Sequence, residues 1–190
     1  MFIIREILGC CVISAICLLG MAILYAPVCF LLRKRVPPAK QLAWFLFGAC
    51  AIIVLAATVV VGASKTAAAD RSLNVIPFRV LQETWGMPEP KKIAQTAANV
   101  VMFVPLGILL PVAFPKMRSF VKTTLSLALF SFGIEFTQYF TGRSADIDDL
   151  MLNTLGGVLG YLIFFVLSRL VRKKQPRRTG RSVHRPVRKS

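Results

Sequence analysis

Five apolar blocks, each long enough to cross a bilayer, constrain what this chain can fold into. They run approximately from Ile7 to Leu32, Leu42 to Gly62, Ala94 to Phe114, Phe120 to Phe140 and Leu150 to Leu167. Wound as helix at ~1.5 Å per residue, blocks of this size match the ~30 Å thickness of a hydrocarbon core. Inside lipid every backbone N–H and C=O needs a partner within the protein, which an apolar block satisfies by forming helix. The expected fold is an all-α membrane protein, a bundle of about five transmembrane helices forming one domain over residues 1–168. The first block outruns the apolar core of an ordinary signal peptide and lacks a convincing cleavage site, so it reads as a span. No internal repeat divides the chain into matching halves, which argues against a transporter built from inverted repeats.

Charge sets the expected direction of these spans. The net charge of +16 suggests a nucleic-acid binder until its distribution is considered. Ten of the 24 Lys and Arg fall between Arg169 and Lys189, a stretch without Asp or Glu. Four more (Arg33, Lys34, Arg35, Lys40) follow the first block, and three (Lys116, Arg118, Lys122) follow the third. One side of the bundle thus collects 17 cations against seven on the other, where the acidic residues also map. By the positive-inside rule the N-terminus is expected outside and the C-terminus in the cytoplasm. The tail, residues 169–190, has no apolar periodicity and contains Pro176, Gly180 and Pro186, so it is expected to be disordered. Its expected partner is anionic lipid at the inner surface. No aromatic residues are interleaved with its cations to stack on bases, which disfavours nucleic acid. His184 lies in this tail and is given no role.

The five cysteines, Cys10, Cys11, Cys17, Cys29 and Cys50, lie within the first two blocks and read as small buried hydrophobes. More informative are the polar groups of the last three spans. Asn99 falls about one turn into the third, ahead of Pro105 and Pro111, which deprive the carbonyls of Val101 and Gly107 of helical partners. Glu135 lies in the outer part of the fourth span, with Gln138 three residues on and therefore on the same helical face. A carboxylate there is costly unless it is paired, protonated or facing water. An ion pair with Arg143 is the structural alternative to a functional role.

The segment Gly142-Arg143-Ser144-Ala145-Asp146-Ile147-Asp148-Asp149 places three carboxylates within four residues, just before a helix expected near Leu150. Asp146 or Asp148 can cap that helix. The carboxylates not used as a cap can ligate a divalent cation, accept hydrogen bonds from a polar headgroup, or act as a general base. Asn153 follows Asp149 by one turn on the same face, and Gly156 and Gly160 form a small-xxx-small pair suited to close helix packing. With the charge-derived orientation, Asn99, Glu135, Gln138, Arg143, Asp146, Asp148, Asp149 and Asn153 all gather at the outer membrane surface as a substrate-binding pocket. Glu135, Asp146, Asp148 and Asp149 are the catalytic candidates, and the three aspartates the metal candidates. The only histidine is in the tail, so Ser–His–Asp and Cys–His chemistry are absent and carboxylate- or metal-assisted chemistry is the enzyme class left open.

These motifs together resemble the VanZ-like family over about residues 72–167. Asn74-Val75-Ile76-Pro77-Phe78, with Trp85 beyond it, has the character of an interfacial segment and resembles the family's N-x-I-P-F motif. Asn99-x3-Phe103-x-Pro105-x-Gly107 resembles its third-helix motif. Glu135-x2-Gln138, followed by Gly142-Arg143-Ser144-x-Asp146-Ile147-Asp148-Asp149-x3-Asn153-x2-Gly156, resembles its most distinctive block. The resemblance implies a small bacterial membrane protein of the cell envelope, and the family's namesake is associated with low-level resistance to the glycopeptide teicoplanin. It supplies no reaction. The expected function is binding or modification of a membrane lipid or lipid-linked cell-wall component at the outer leaflet. A non-catalytic membrane scaffold or accessory subunit is the alternative.

Overall fold

The computed structural model describes residues 2–60, 73, 74, 76, 77, 90–141 and 145–174. Five helices account for nearly all of them: α1 (Phe2–Leu32), α2 (Pro38–Leu55), α3 (Pro90–Ala113), α4 (Phe120–Phe140) and α5 (Ile147–Lys174). Each is long and apolar enough to cross a membrane. A π-helical turn (Ala56–Val60) extends α2, and a 3₁₀ turn (Pro115–Met117) links α3 to α4. Two short strands, β1 (Leu73–Asn74) and β2 (Ala145–Asp146), pair in parallel just before α5 begins.

One long helix falls on each of the five apolar blocks, and the differences at the helix ends have local causes. α2 starts at Pro38, because proline is preset for the first helical turn and lacks only an N–H that would be orphaned there. α5 starts at Ile147 and runs to Lys174, past the expected end at Leu167. Arg and Lys are good helix formers, and cations suit the negative end of a helix. Arg169 to Lys174 therefore continue the helix; the rest of the basic tail lies outside the described residues. α3 stays helical through Pro105 and Pro111.

α3 and α5 form the centre of the bundle and run parallel. The Val100 carbonyl occupies the place a Cβ on Gly156 would need, and the Val104 carbonyl does the same at Gly160. Gly107 meets the Gly157 backbone in the same way. The glycine pair expected to permit close packing is therefore used, and with α3 as its partner. α4 runs antiparallel to α5, with Leu127 against Gly157 and Phe120 against Tyr161. α2 joins through Trp44, whose indole N–H donates to the Ala113 carbonyl at the end of α3 (2.9 Å). The core gathers Val54, Phe103, Leu106, Leu110, Leu127 and Ile134.

The helical bundle is inverted relative to a water-soluble one. Phe132, Phe136 and Phe140 line an exposed face of α4, and Leu159, Leu162 and Val166 are exposed on α5. Asn99, Ser131, Glu135, Gln138, Asp148 and Asn153 are buried instead. A large exposed apolar surface around buried polar groups is what a lipid solvent selects. α1 stands at the edge, with none of its span buried in the protein. Cys11 and Cys17 are accordingly exposed on α1, contrary to the buried positions expected for the cysteines, and Cys29 and Cys50 are half-buried. Among the described residues all four are free thiols.

Candidate functional site

The alternating course of the helices brings the end of α2 and its π-helical turn, the first half of α3, the end of α4 and the start of α5 to one end of the bundle. Most of the polar residues singled out in the sequence meet there. Glu135, Asp148 and Asn153 are 7%, 4% and 2% exposed, and Asn99 and Gln138 are buried beside them.

Asp146 organises the entry to α5. It is the residue before the helix, and its Oδ1 accepts the backbone N–H of Asp148 (2.9 Å). This is an N-cap, so Asp146 fills the capping role open to either aspartate. The same Oδ1 accepts the side-chain amide of Asn74 (2.9 Å), beside the β1–β2 pairing of Asn74 with Asp146. The Asp146 backbone N–H in turn donates to Glu135 Oε2 (3.0 Å). Asn74 also accepts from the Ile76 N–H through its Oδ1 (3.3 Å), the local turn that asparagine favours.

Asp148 and Asp149 occupy the first turn of α5, where the helix dipole favours negative charge. The Asn99 amide of α3 donates to Asp149 Oδ1. One turn deeper, the Asn153 amide donates to Ser131 Oγ (2.9 Å), a pair buried between α5 and α4. Asn153 Oδ1 is buried with no hydrogen-bond partner among the described residues. Such an acceptor is costly unless water or a ligand donates to it. Gln138 reaches sideways: its amide donates to the Thr58 carbonyl in the π-helical turn (2.9 Å).

The loop aspartates do not converge on one point. Asp146 is turned to the helix cap and Asn74, while Asp149 is turned to Asn99. Among the described residues no three of His, Cys, Asp and Glu are grouped to hold a metal ion. Asp146 thus serves the helix cap and Asp149 an interhelical hydrogen bond. Arg143, with Gly142 and Ser144, lies outside the described residues, as do Val75, Phe78 and Trp85.

Two features escape the sequence reading. Ser131 is fully buried midway along α4 and carries the polar lane deeper than Glu135. Its position four residues before Glu135, on the same helical face, is the signal that identifies it. Polar groups are also not confined to one end. At the opposite end, buried Gln41 accepts from the Cys29 thiol (2.7 Å) and donates to the Val36 carbonyl (2.9 Å). The Tyr25 hydroxyl donates to the Gln41 carbonyl (2.9 Å), tying α1 to the start of α2.

The profile of the VanZ/LLP1 family matches residues 42–168, which takes in four of the five helices and every described residue of the polar cluster. "Protein VanZ" from Enterococcus faecium is 31% identical over 107 residues, covering 56% of this chain and 60% of that protein. The chain therefore spans less than two thirds of that relative. No solved structure matches the chain. With five helices long and apolar enough to span a membrane and a family profile matching residues 42–168, the chain belongs to the VanZ/LLP1 family.

Proposed function

We propose that this protein resides in the bacterial cell membrane with its N-terminus outside and its C-terminus in the cytoplasm. Its polar cluster then lies at the outer leaflet, where it binds or modifies a lipid-linked or surface component of the envelope and lowers susceptibility to teicoplanin. One observation carries this reading: Asn99, Glu135, Asp148 and Asn153 are buried together at one end of three apolar helices. Ionisable groups at membrane depth are expensive, and function is the usual reason they are kept. The excess of cations on the opposite side supports the orientation, and the basic tail there serves as an anchor to anionic lipid.

The test is drug susceptibility in a host that the wild-type protein protects from teicoplanin. Glu135→Gln and Asp148→Asn each replace a carboxyl group with an amide at nearly constant shape. Both variants are expected to lose protection at unchanged abundance in the membrane. Full protection by both would sink the assignment of the site.

A second reading, a non-catalytic scaffold or accessory subunit, is favoured by a different observation. Asn99, Gln138, Asp146 and Asn153 all make hydrogen bonds within the protein, linking separate elements. Under that reading Asp148→Asn lowers thermal stability in detergent, and a protein partner co-purifies with the wild type.

A further inference from the structure

A groove of about 760 Å³ runs between α1, α2 and α4. Its walls include Gly20, Met21, Leu24 and Val28 of α1 with Ile52 and Leu55 of α2. All its lining residues belong to the membrane spans. Two hydroxyls on the wall are already committed. Tyr25 donates to the Gln41 carbonyl, and Thr137 donates to the Gly133 carbonyl (2.7 Å). The groove therefore offers its occupant almost nothing but hydrocarbon contact.

From this geometry we infer that the groove holds one acyl chain of a membrane lipid whose headgroup lies at the polar cluster. Three observations select that occupant. The groove opens within the span region beside a helix with no buried span, so what reaches it arrives laterally from the bilayer. From Cys17 to Val28 it follows α1 for about 16 Å at the helical rise, running from the Ala56 and Thr137 end toward the Tyr25–Gln41 contact at the other end of the bundle, a long narrow path suited to one extended acyl chain. One end is bounded by Ala56 and Thr137, next to the Gln138–Thr58 hydrogen bond at the edge of the polar cluster. Since the surrounding lipid is equally apolar, the groove gains over bulk bilayer through close van der Waals contact on several sides. Placing the headgroup at the cluster rests on the ligand-binding reading above; the seat for the chain does not.

The experiment uses the full chain in nanodiscs containing phosphatidylglycerol probes with a diazirine either midway along one acyl chain or on the headgroup. After irradiation, cross-links are mapped by mass spectrometry. The acyl probe is expected to concentrate on peptides containing Cys17–Val28 and Ile52–Ala56, and the headgroup probe on those containing Asn99 and Gln138. Gly20→Trp is expected to remove the acyl cross-links, because a Cβ at Gly20 meets nothing within 4 Å and the indole can fill the groove without moving a helix. Acyl labelling spread evenly over the lipid-facing helices, or unaffected by Gly20→Trp, overturns the inference. So does a second copy of α1 cross-linked into the groove, or headgroup labelling confined to the opposite end of the bundle. Loss of groove labelling while Asp148→Asn still abolishes protection would overturn the groove alone. The reverse pattern would overturn the functional site alone.

Discussion

Asn74 and Asp146, 72 residues apart in the chain, are joined side chain to side chain at 2.9 Å. The same carboxylate oxygen caps α5, so one aspartate ties the segment before α3 to the start of the last helix. The Glu135 carboxylate holds the Asp146 backbone N–H, adding α4 to the junction.

Asp146→Ala removes both the cap and the link to Asn74. Loss of a cap alone costs about 1 kcal/mol, with losses up to ~2 kcal/mol in strong cases. Asp146→Asn keeps an acceptor oxygen for the cap and should cost less. Thermal unfolding in detergent should rank wild type above Asp146→Asn above Asp146→Ala. Equal midpoints for all three would show that the junction contributes no stability.

The Ser131–Asn153 hydrogen bond crosses α4 and α5 at a fully buried position. Interhelical side-chain hydrogen bonds in membrane proteins average about 0.6 kcal/mol, because the unpacked helices also find partners. A double-mutant cycle with Ser131→Ala and Asn153→Ala should return a coupling of that order. Strict additivity would mean that the pair makes no net contribution.

The glycines predict a sharp contrast between positions. Gly156→Leu and Gly160→Leu drive a side chain into the Val100 and Val104 carbonyls and should separate α3 from α5. Overpacking of this kind costs about 1–3 kcal/mol, and more where backbone is struck. Gly133→Leu points into open space and should leave folding intact. Yield of monodisperse protein in detergent checks the contrast; comparable loss at all three positions would contradict the packing described.

Much of this architecture was readable in the sequence, and the misses have physical reasons. Spans are legible because lipid demands about 20 apolar residues in a row. Glu135 and Asn99 stand out because such groups are costly within apolar runs, and Asp149 because it completes three carboxylates within four residues. Ser131 does not stand out, since a helical serine can satisfy its own hydroxyl on a preceding carbonyl and so signals little. The Asn74–Asp146 bond spans too much chain for local pattern to reveal it. The sequence left the helix cap open between Asp146 and Asp148; the start of α5 at Ile147 assigns it to Asp146 and places Asp148 and Asp149 in the first turn. The π-helical turn after α2 has no composition that distinguishes Ala56–Val60 from ordinary helix.

That turn gives Gln138 a testable role. Its amide holds the Thr58 carbonyl, at a π-helical segment of the kind often found beside functional sites. Gln138→Leu removes the donor and should destabilise the protein by about 1 kcal/mol. Backbone amide exchange over residues 54–58 should accelerate in this variant. Unchanged exchange would show that the turn holds without Gln138.

The central claim is that the polar cluster faces the cell exterior. Thiol labelling of Ser144→Cys, in a chain whose five native cysteines are replaced, tests this because residue 144 is two positions before Asp146 of the cluster in the sequence. Modification in intact cells by a membrane-impermeant maleimide is expected. Modification only after lysis would reverse the orientation and, with it, remove the site from the outer leaflet.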